Sequence, residues 1–183
     1  MVQEASLRVL SKILVNFFFD AREYDGENGC DIDLSAFLLG DDGKVSSNSD
    51  FVFYGDRLHP SGAVELAGNL MCRPRYEECF ELMMVDLSIV PANVSSIVFT
   101  ATIYDAEERH QNFGQVSNVH MRVVDPTSEH ELFRYNLGDD LSKYMALIVG
   151  KLYRSADEWK FNAVGSGFKG GLAALCRNYG VNV

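Results

Sequence analysis

The chain has 183 residues, 26 acidic and 16 basic, which leaves a formal net charge of −10 with 47% hydrophobic and 23% charged side chains. These are the proportions of one globular domain, large enough to build a core without disulfides or a structural metal. An acidic balance with no window rich in Lys and Arg repels phosphate backbones and excludes nucleic acid as a direct partner, and the most apolar stretches, Ile13 to Phe19 and Met145 to Val149, fall far short of the roughly 18 residues that span a bilayer.

In chain order, residues 1–13 read as a variable N-terminal arm, with Val2 to Lys12 either a short helix or poorly ordered, and residues 14–183 as a single domain. Ile13 to Phe19 runs directly into Asp20-Ala21-Arg22-Glu23, a poor cleavage site for a signal peptide, so the expected location is cytoplasmic. From there the dominant period is two. In Asp31 to Leu38, the residues Ile32, Leu34, Ala36 and Leu38 share one face of a strand, and Asp31, Asp33 and Ser35 share the other. Similar runs occur at Leu14 to Phe19, Asp50 to Tyr54, Phe80 to Leu87, Ile97 to Tyr104, Val119 to Val124, Leu132 to Tyr135 and Trp159 to Val164, divided by Gly, Asp, Asn and Pro turns. The pattern predicts a mainly β fold, an antiparallel sandwich flanked by two α-helices. The first helix opens at Asp139 as N-cap and carries Leu141, Tyr144, Met145, Ile148 and Leu152 at helical spacing; the second spans about Leu172 to Tyr179 and is capped by Gly180. Trp159, between Glu158 and Lys160, is expected to face the core against the first helix.

An internal pseudo-repeat is also legible. Phe18-Phe19-Asp20-Ala21 lies over Ile103-Tyr104-Asp105-Ala106, Leu34 to Leu39 over Val119 to Val124, and Phe51 to Tyr54 over Leu132 to Tyr135. Two such units would supply the two halves of the sandwich, although short matches in β-rich sequence also arise from composition.

Asp20, Asp25, Glu27, Asn28, Asp31 and Asp33 gather oxygen donors of the kind calcium prefers. The alternative is a solvated acidic loop in an acidic protein. Asp105, Glu107 and Glu108 form a second group, followed at once by Arg109 and His110, and neither group has the twelve-residue pattern of an EF-hand. Gly165-Ser166-Gly167-Phe168-Lys169-Gly170 fits G-x-G-x-x-G, but the chain ends too soon for a dinucleotide fold, so glycines that permit a tight turn and close helix packing are the expected reading. His59, His110, His120 and His130 show no metal-ligand spacing, no Ser stands in a nucleophile elbow, and His120 is expected to face solvent. Cys30, Cys72, Cys79 and Cys176 contain no Cys-x-x-Cys and are expected to be reduced, with Cys72 and Cys79 the pair open to a soft ion.

Three stretches together resemble the TerD family of tellurium-resistance and stress proteins: Thr102 to Ala106 followed by Gln111 to Val116, the acidic strand Asp31 to Phe37, and Leu152-Tyr153-Arg154 leading through Glu158-Trp159-Lys160-Phe161 to Gly171-Leu172. They occur in the family's order, and the resemblance covers Leu14 to Val183. It implies a β-sandwich, calcium held in acidic loops, a part in tellurite or general stress resistance among protein partners of a stress-response complex, and no established catalysis. The metal ligands it suggests are Asp20, Asp25, Asp31, Asp33, Asn69, Glu81 and Asp105. Two departures stand out. The family's extra N-terminal β segment is expected to be missing, and the middle loop, Ala67 to Glu81, keeps Asn69 and Glu81 but carries Arg73 and Arg75 where the family has aspartates. The expected function is therefore a non-enzymatic calcium-binding stress protein, with a metal-free scaffold or interaction domain as the alternative and a nucleotide binder using the Gly165 to Gly171 turn as a third reading.

Overall fold

Alternation of apolar and polar side chains builds two antiparallel sheets laid face to face. The computed structural model describes residues 4–7, 10–20, 30–68, 71–73, 78–138, 141–156 and 158–182, with the backbone alone for 4–6, 71–73 and 78–79. The strands are β1 (Glu4–Ser6), β2 (Lys12–Asp20), β3 (Ile32–Leu39), β4 (Phe51–Val52), β5 (Val64–Leu66), β6 (Met71–Arg73), β7 (Glu78–Asp86), β8 (Ser96–Ile103), β9 (His120–Val124), β10 (Glu131–Asn136), β11 (Ala146–Ser155) and β12 (Glu158–Phe168), followed by helix α1 (Leu172–Tyr179). The first sheet runs β1-β12-β11-β8-β3-β4, and the second runs β10-β9-β2-β7-β5 with β6 also pairing β7.

The inner faces form one core. Ile13, Val15, Phe17 and Phe19 of β2 meet Ile32, Leu34, Ala36 and Leu38 of β3, as the period-two reading of both strands expects. The opposite face of β3 is apolar too beyond Ser35. Phe37 and Leu39 join Phe51, Val98 and Ala146 in a second cluster that α1 closes with Leu175, Cys176 and Tyr179. Helix α1 lies where the sequence placed it, and its terminal Gly180 adopts φ 86°, a left-handed conformation that accommodates glycine readily.

The expected helix from Asp139 to Leu152 is not formed. Residues 146–155 are instead β11, hydrogen-bonded to β8 on one side and β12 on the other, and Asp139 lies outside the described residues. A central strand buried on both faces has a nearly unbroken apolar run, and a register shift between Ile148 and Gly150 adds a residue that imitates helical spacing. Among the described residues there is thus one α-helix, not two. In the described part of the N-terminal segment, expected as a short helix or a poorly ordered arm, Glu4–Ser6 form β1, which pairs with β12, and Leu7 is buried in the core, so the edge segment expected to be missing has a counterpart here. Nor do the two aligned units each form one sheet. β3 and β4 extend from β8, while β9 and β10 extend from β2, so each sheet combines strands of both units. His120, expected at the surface, is only 5% exposed, because its ring stacks on Phe18 with centroids 4.8 Å apart.

Candidate functional site

The candidate site lies where β3 runs out of neighbours. β4 pairs only with Ala36 and Phe37, so from Ile32 to Ser35 the strand has β8 on one side and, among the described residues, no partner strand on the other. The exposed backbone edge is met from the opposite sheet. Glu81 of β7 reaches across, and its Oε2 accepts a hydrogen bond from the N–H of Leu34 at 2.7 Å. Ile32 and Leu34 point into the core, which turns Asp31 and Asp33 to the other face, as their spacing expects. Opposite them stand Thr102 of β8, paired with Asp33, and Tyr104 just after β8, whose N–H donates to the Asp31 carbonyl at 2.7 Å.

Asp31, Asp33 and Glu81 line one small cavity of ≈ 140 Å³, walled further by Tyr54, Arg57 and Gly68. The guanidinium of Arg57 is held in place by donating from Nε and Nη2 to the Leu66 carbonyl at 3.2 and 2.9 Å. Burial, reinforced by Asp31, pushes the Asp33 carboxyl up to about 6. Glu81 is pushed up to about 7, again first by burial and then by Asp33 and Asp31, against the opposing pull of the Leu34 N–H and Arg57. Two acids crowded into a poorly solvated edge beside a third carboxylate make a site that favours an added positive charge, whether a proton or a metal cation.

The other suggested ligands are placed differently. Asp20 ends β2 opposite Glu78, with its N–H donating to Ser117 O, and it does not line the cavity. Asp105 lines a larger adjoining cleft together with Asp33, Glu107 and Glu108. Asp25 and Asn69 fall outside the described residues. Among the described residues, no three Asp, Glu, His or Cys side chains converge closely enough to hold an ion by themselves. The oxygen chemistry suits calcium, and the retained carboxylates fit part of such a site.

The glycine motif does not form a phosphate cradle. Gly165 and Gly167 lie within β12, and rings occupy the space a side chain would need: Tyr135 over Gly165 and Tyr144 over Gly167, each within 2.4 Å of where a Cβ would sit. Close packing is the role these glycines serve. Cys30 and Cys176 are buried, while Cys72 and Cys79 hold opposed register positions on β6 and β7. Sequence patterning did not single out Tyr54 or Arg57, whose place in the site depends on the irregular chain between β4 and β5, nor the buried pair of Asp50 and His59.

A family model described as the TerD domain matches residues 3–179. The chain is 46% identical over 175 residues to general stress protein 16U of Bacillus subtilis (strain 168), covering 95% of this chain and 90% of that protein. It is 42% identical over 173 residues to tellurium resistance protein TerD of Serratia marcescens, covering 94% and 89%. Among solved structures, a homologue of telluride resistance protein from Streptomyces coelicolor A3(2) superimposes with a TM-score of 0.72 at 18% identity, over 91% of this chain and 95% of that one; this likeness speaks to the fold.

Proposed function

The chain belongs to the TerD family, and on that premise we propose that it is a non-enzymatic, calcium-binding stress protein acting in the cytoplasm in tellurite or general stress resistance. The observation that supports the calcium reading is that Asp31, just before β3, Asp33 of β3 and Glu81 of β7 border one small cavity. A bound divalent cation neutralises clustered carboxylates. Asp31 and Asp33 are the centre of the donor set, Glu81 contributes the oxygen not committed to Leu34, and backbone carbonyls complete it together with Asp105, which borders the adjoining cleft that Asp33 also lines. With its charges neutralised, this edge becomes a surface on which protein partners of a stress-response complex assemble.

Arg57 favours a second reading. A guanidinium in the cavity wall already supplies one positive charge to the carboxylates, which is what a metal-free scaffold that keeps the fold and dispenses with the ion would need. Native mass spectrometry with and without calcium counts the ions, and titration calorimetry on the wild type and on Asp31→Asn/Asp33→Asn locates them. Loss of binding in the double variant supports the calcium site; unchanged binding refutes the assignment, and no binding by the wild type establishes the metal-free scaffold.

A further inference from the structure

Next to the carboxylate cavity lies a cleft of ≈ 920 Å³, bounded by the Phe51–Tyr54 segment, the turn after β8 and helix α1. Its size is that of a small-molecule site, roughly 300–1,000 Å³. Aromatic rings run into it in sequence. Phe37 stacks on Phe51 at 4.4 Å, Phe51 on Phe53 at 4.5 Å, and Tyr54 meets Phe53 edge-on at 5.1 Å. Tyr104 then stands against Tyr54 with centroids 6.3 Å apart and planes at 84°.

Where the buried rings of this series fill the second core, the last two do not. Tyr54 is 49% exposed and Tyr104 46%, so two ring faces at right angles are left open in a concave wall. Isolated exposed aromatics need no explanation, but two of them set perpendicular inside a cleft form a corner that can enclose a ligand from two sides. The charge around the corner is one-sided. Asp33, Asp56, Asp105, Glu107 and Glu108 line the cleft, against the guanidinium of Arg177 from α1.

We infer that this cleft binds a small organic cation, an alkylammonium compound, with its charged group in the corner between Tyr54 and Tyr104 and its hydrocarbon portion along Phe53 toward α1. Ring faces carry the negative end of the aromatic quadrupole and attract a weakly hydrated cation, whereas a hard metal ion needs oxygen ligands that ring faces do not supply. The five carboxylates raise the local concentration of cations and disfavour anionic ligands. A neutral apolar compound gains the contact area but neither of these electrostatic terms. Asp33 and Tyr54 border both this cleft and the smaller cavity, but the inference rests on the tyrosine corner and does not need calcium, and Asp31 and Glu81 line the smaller cavity and not the cleft.

The test is ligand-observed NMR on the full chain in EDTA with choline and its neutral isostere 3,3-dimethyl-1-butanol as probes. Choline is expected to bind saturably, with the isostere weaker by about tenfold, and Tyr54→Ala/Tyr104→Ala should weaken choline by at least about tenfold. Tyr54→Phe/Tyr104→Phe keeps both ring faces and should retain binding, which separates the corner from the hydroxyls and from a folding defect. Asp31→Asn/Glu81→Gln, which removes carboxylates of the proposed calcium site, should leave choline binding intact, so failure of the calcium reading and failure of this one are distinguishable. Equal binding of choline and its isostere, binding indifferent to the alanine variants, or no binding of choline would each overturn the inference.

Discussion

Oε2 of Glu81 accepts the backbone N–H of Leu34 across 47 residues of sequence and from one sheet to the other. Among the described residues no strand pairs with β3 on this side at this position, so a carboxylate does the work of a ladder carbonyl in a location where an orphaned N–H would be costly. Glu81→Ala should therefore destabilise the fold by about 1–3 kcal/mol, the cost of a buried donor left without an acceptor. Glu81→Gln keeps an acceptor oxygen and should recover most of the loss. Urea denaturation in EDTA measures both, and an alanine variant as stable as the wild type would show that water serves the Leu34 N–H equally well.

The same crowding predicts how stability responds to pH without metal. Asp33 and Glu81 have carboxyls raised by burial to about 6 and about 7, so the folded state binds protons more tightly than the unfolded chain. Their contribution is full below the unfolded carboxylate range and is lost as pH rises through 6 and 7. The melting temperature in EDTA should fall between pH 5.5 and pH 7.5, and Glu81→Gln should flatten the slope. If calcium takes the protons' place, an excess of it should lift the melting temperature at pH 7.5 more than at pH 5.5.

At the other edge of the carboxylate region, Asp50 and His59 behave in the opposite sense. Asp50 Oδ2 accepts from the Ser46 hydroxyl at 2.5 Å and from the N–H groups of Ser46 and Ser47, while His59 Nδ1 accepts from the Ser61 N–H at 3.1 Å, which leaves the proton on Nε2 to meet Asp50 Oδ1 at 3.0 Å. Burial acts to raise the Asp50 carboxyl, but these hydrogen bonds outweigh it and hold the group below the usual range. Its stabilisation is complete above the unfolded value and disappears as pH falls through the lower folded one. Asp50→Asn and His59→Ala should each cost about 1–3 kcal/mol at pH 7. The asparagine variant should also lose less stability than the wild type on acidification to pH 3, and an identical acid response in the two proteins would contradict the pairing.

How far these features could be read from sequence depends on whether they arise within one strand. The facing of Ile32, Leu34, Asp31 and Asp33 follows from alternation alone, because side-chain direction along a strand has a period of two. The capping of α1 was equally legible, since Gly180 supplies a left-handed residue at the helix end. β11 was not, because a strand sandwiched between two others loses the polar alternation that distinguishes it from a buried helix. The bond from Glu81 to Leu34, the place of Arg57 in the cavity and the stacking of His120 on Phe18 depend on strand order and irregular connections. No local pattern encodes those. Of the seven suggested metal ligands, three border one cavity: the facing of Asp31 and Asp33 follows from alternation, Glu81 came only with the family resemblance, and Asp105 borders the adjoining cleft because it lies in the turn after β8.

Arg154 and Trp159 give the last prediction. They are register partners on β11 and β12, and the guanidinium lies over the indole with Cζ 4.4 Å from the ring centroid. Trp159 faces the core and is 7% exposed, as alternation expects, but what covers it is this arginine rather than a helix. The guanidinium is fixed from its other side: Nε donates to the Val94 carbonyl at 2.9 Å, and Nη2 donates to those of Val90 and Pro91 at 3.0 and 3.2 Å. Its planar fork serves three carbonyls and a ring face at once, a geometry the point charge of lysine does not reproduce. Native fluorescence should be blue-shifted and move to the red on unfolding. Trp159→Ala should cost about 3–5 kcal/mol through the cavity it leaves, whereas Arg154→Ala and Arg154→Lys should each cost about 1–2 kcal/mol and shift the native emission to the red by admitting water to the indole. A lysine variant with wild-type stability and emission would show that Arg154 lies over the ring without holding it, and a tryptophan deletion costing well under about 3 kcal/mol would count against full burial.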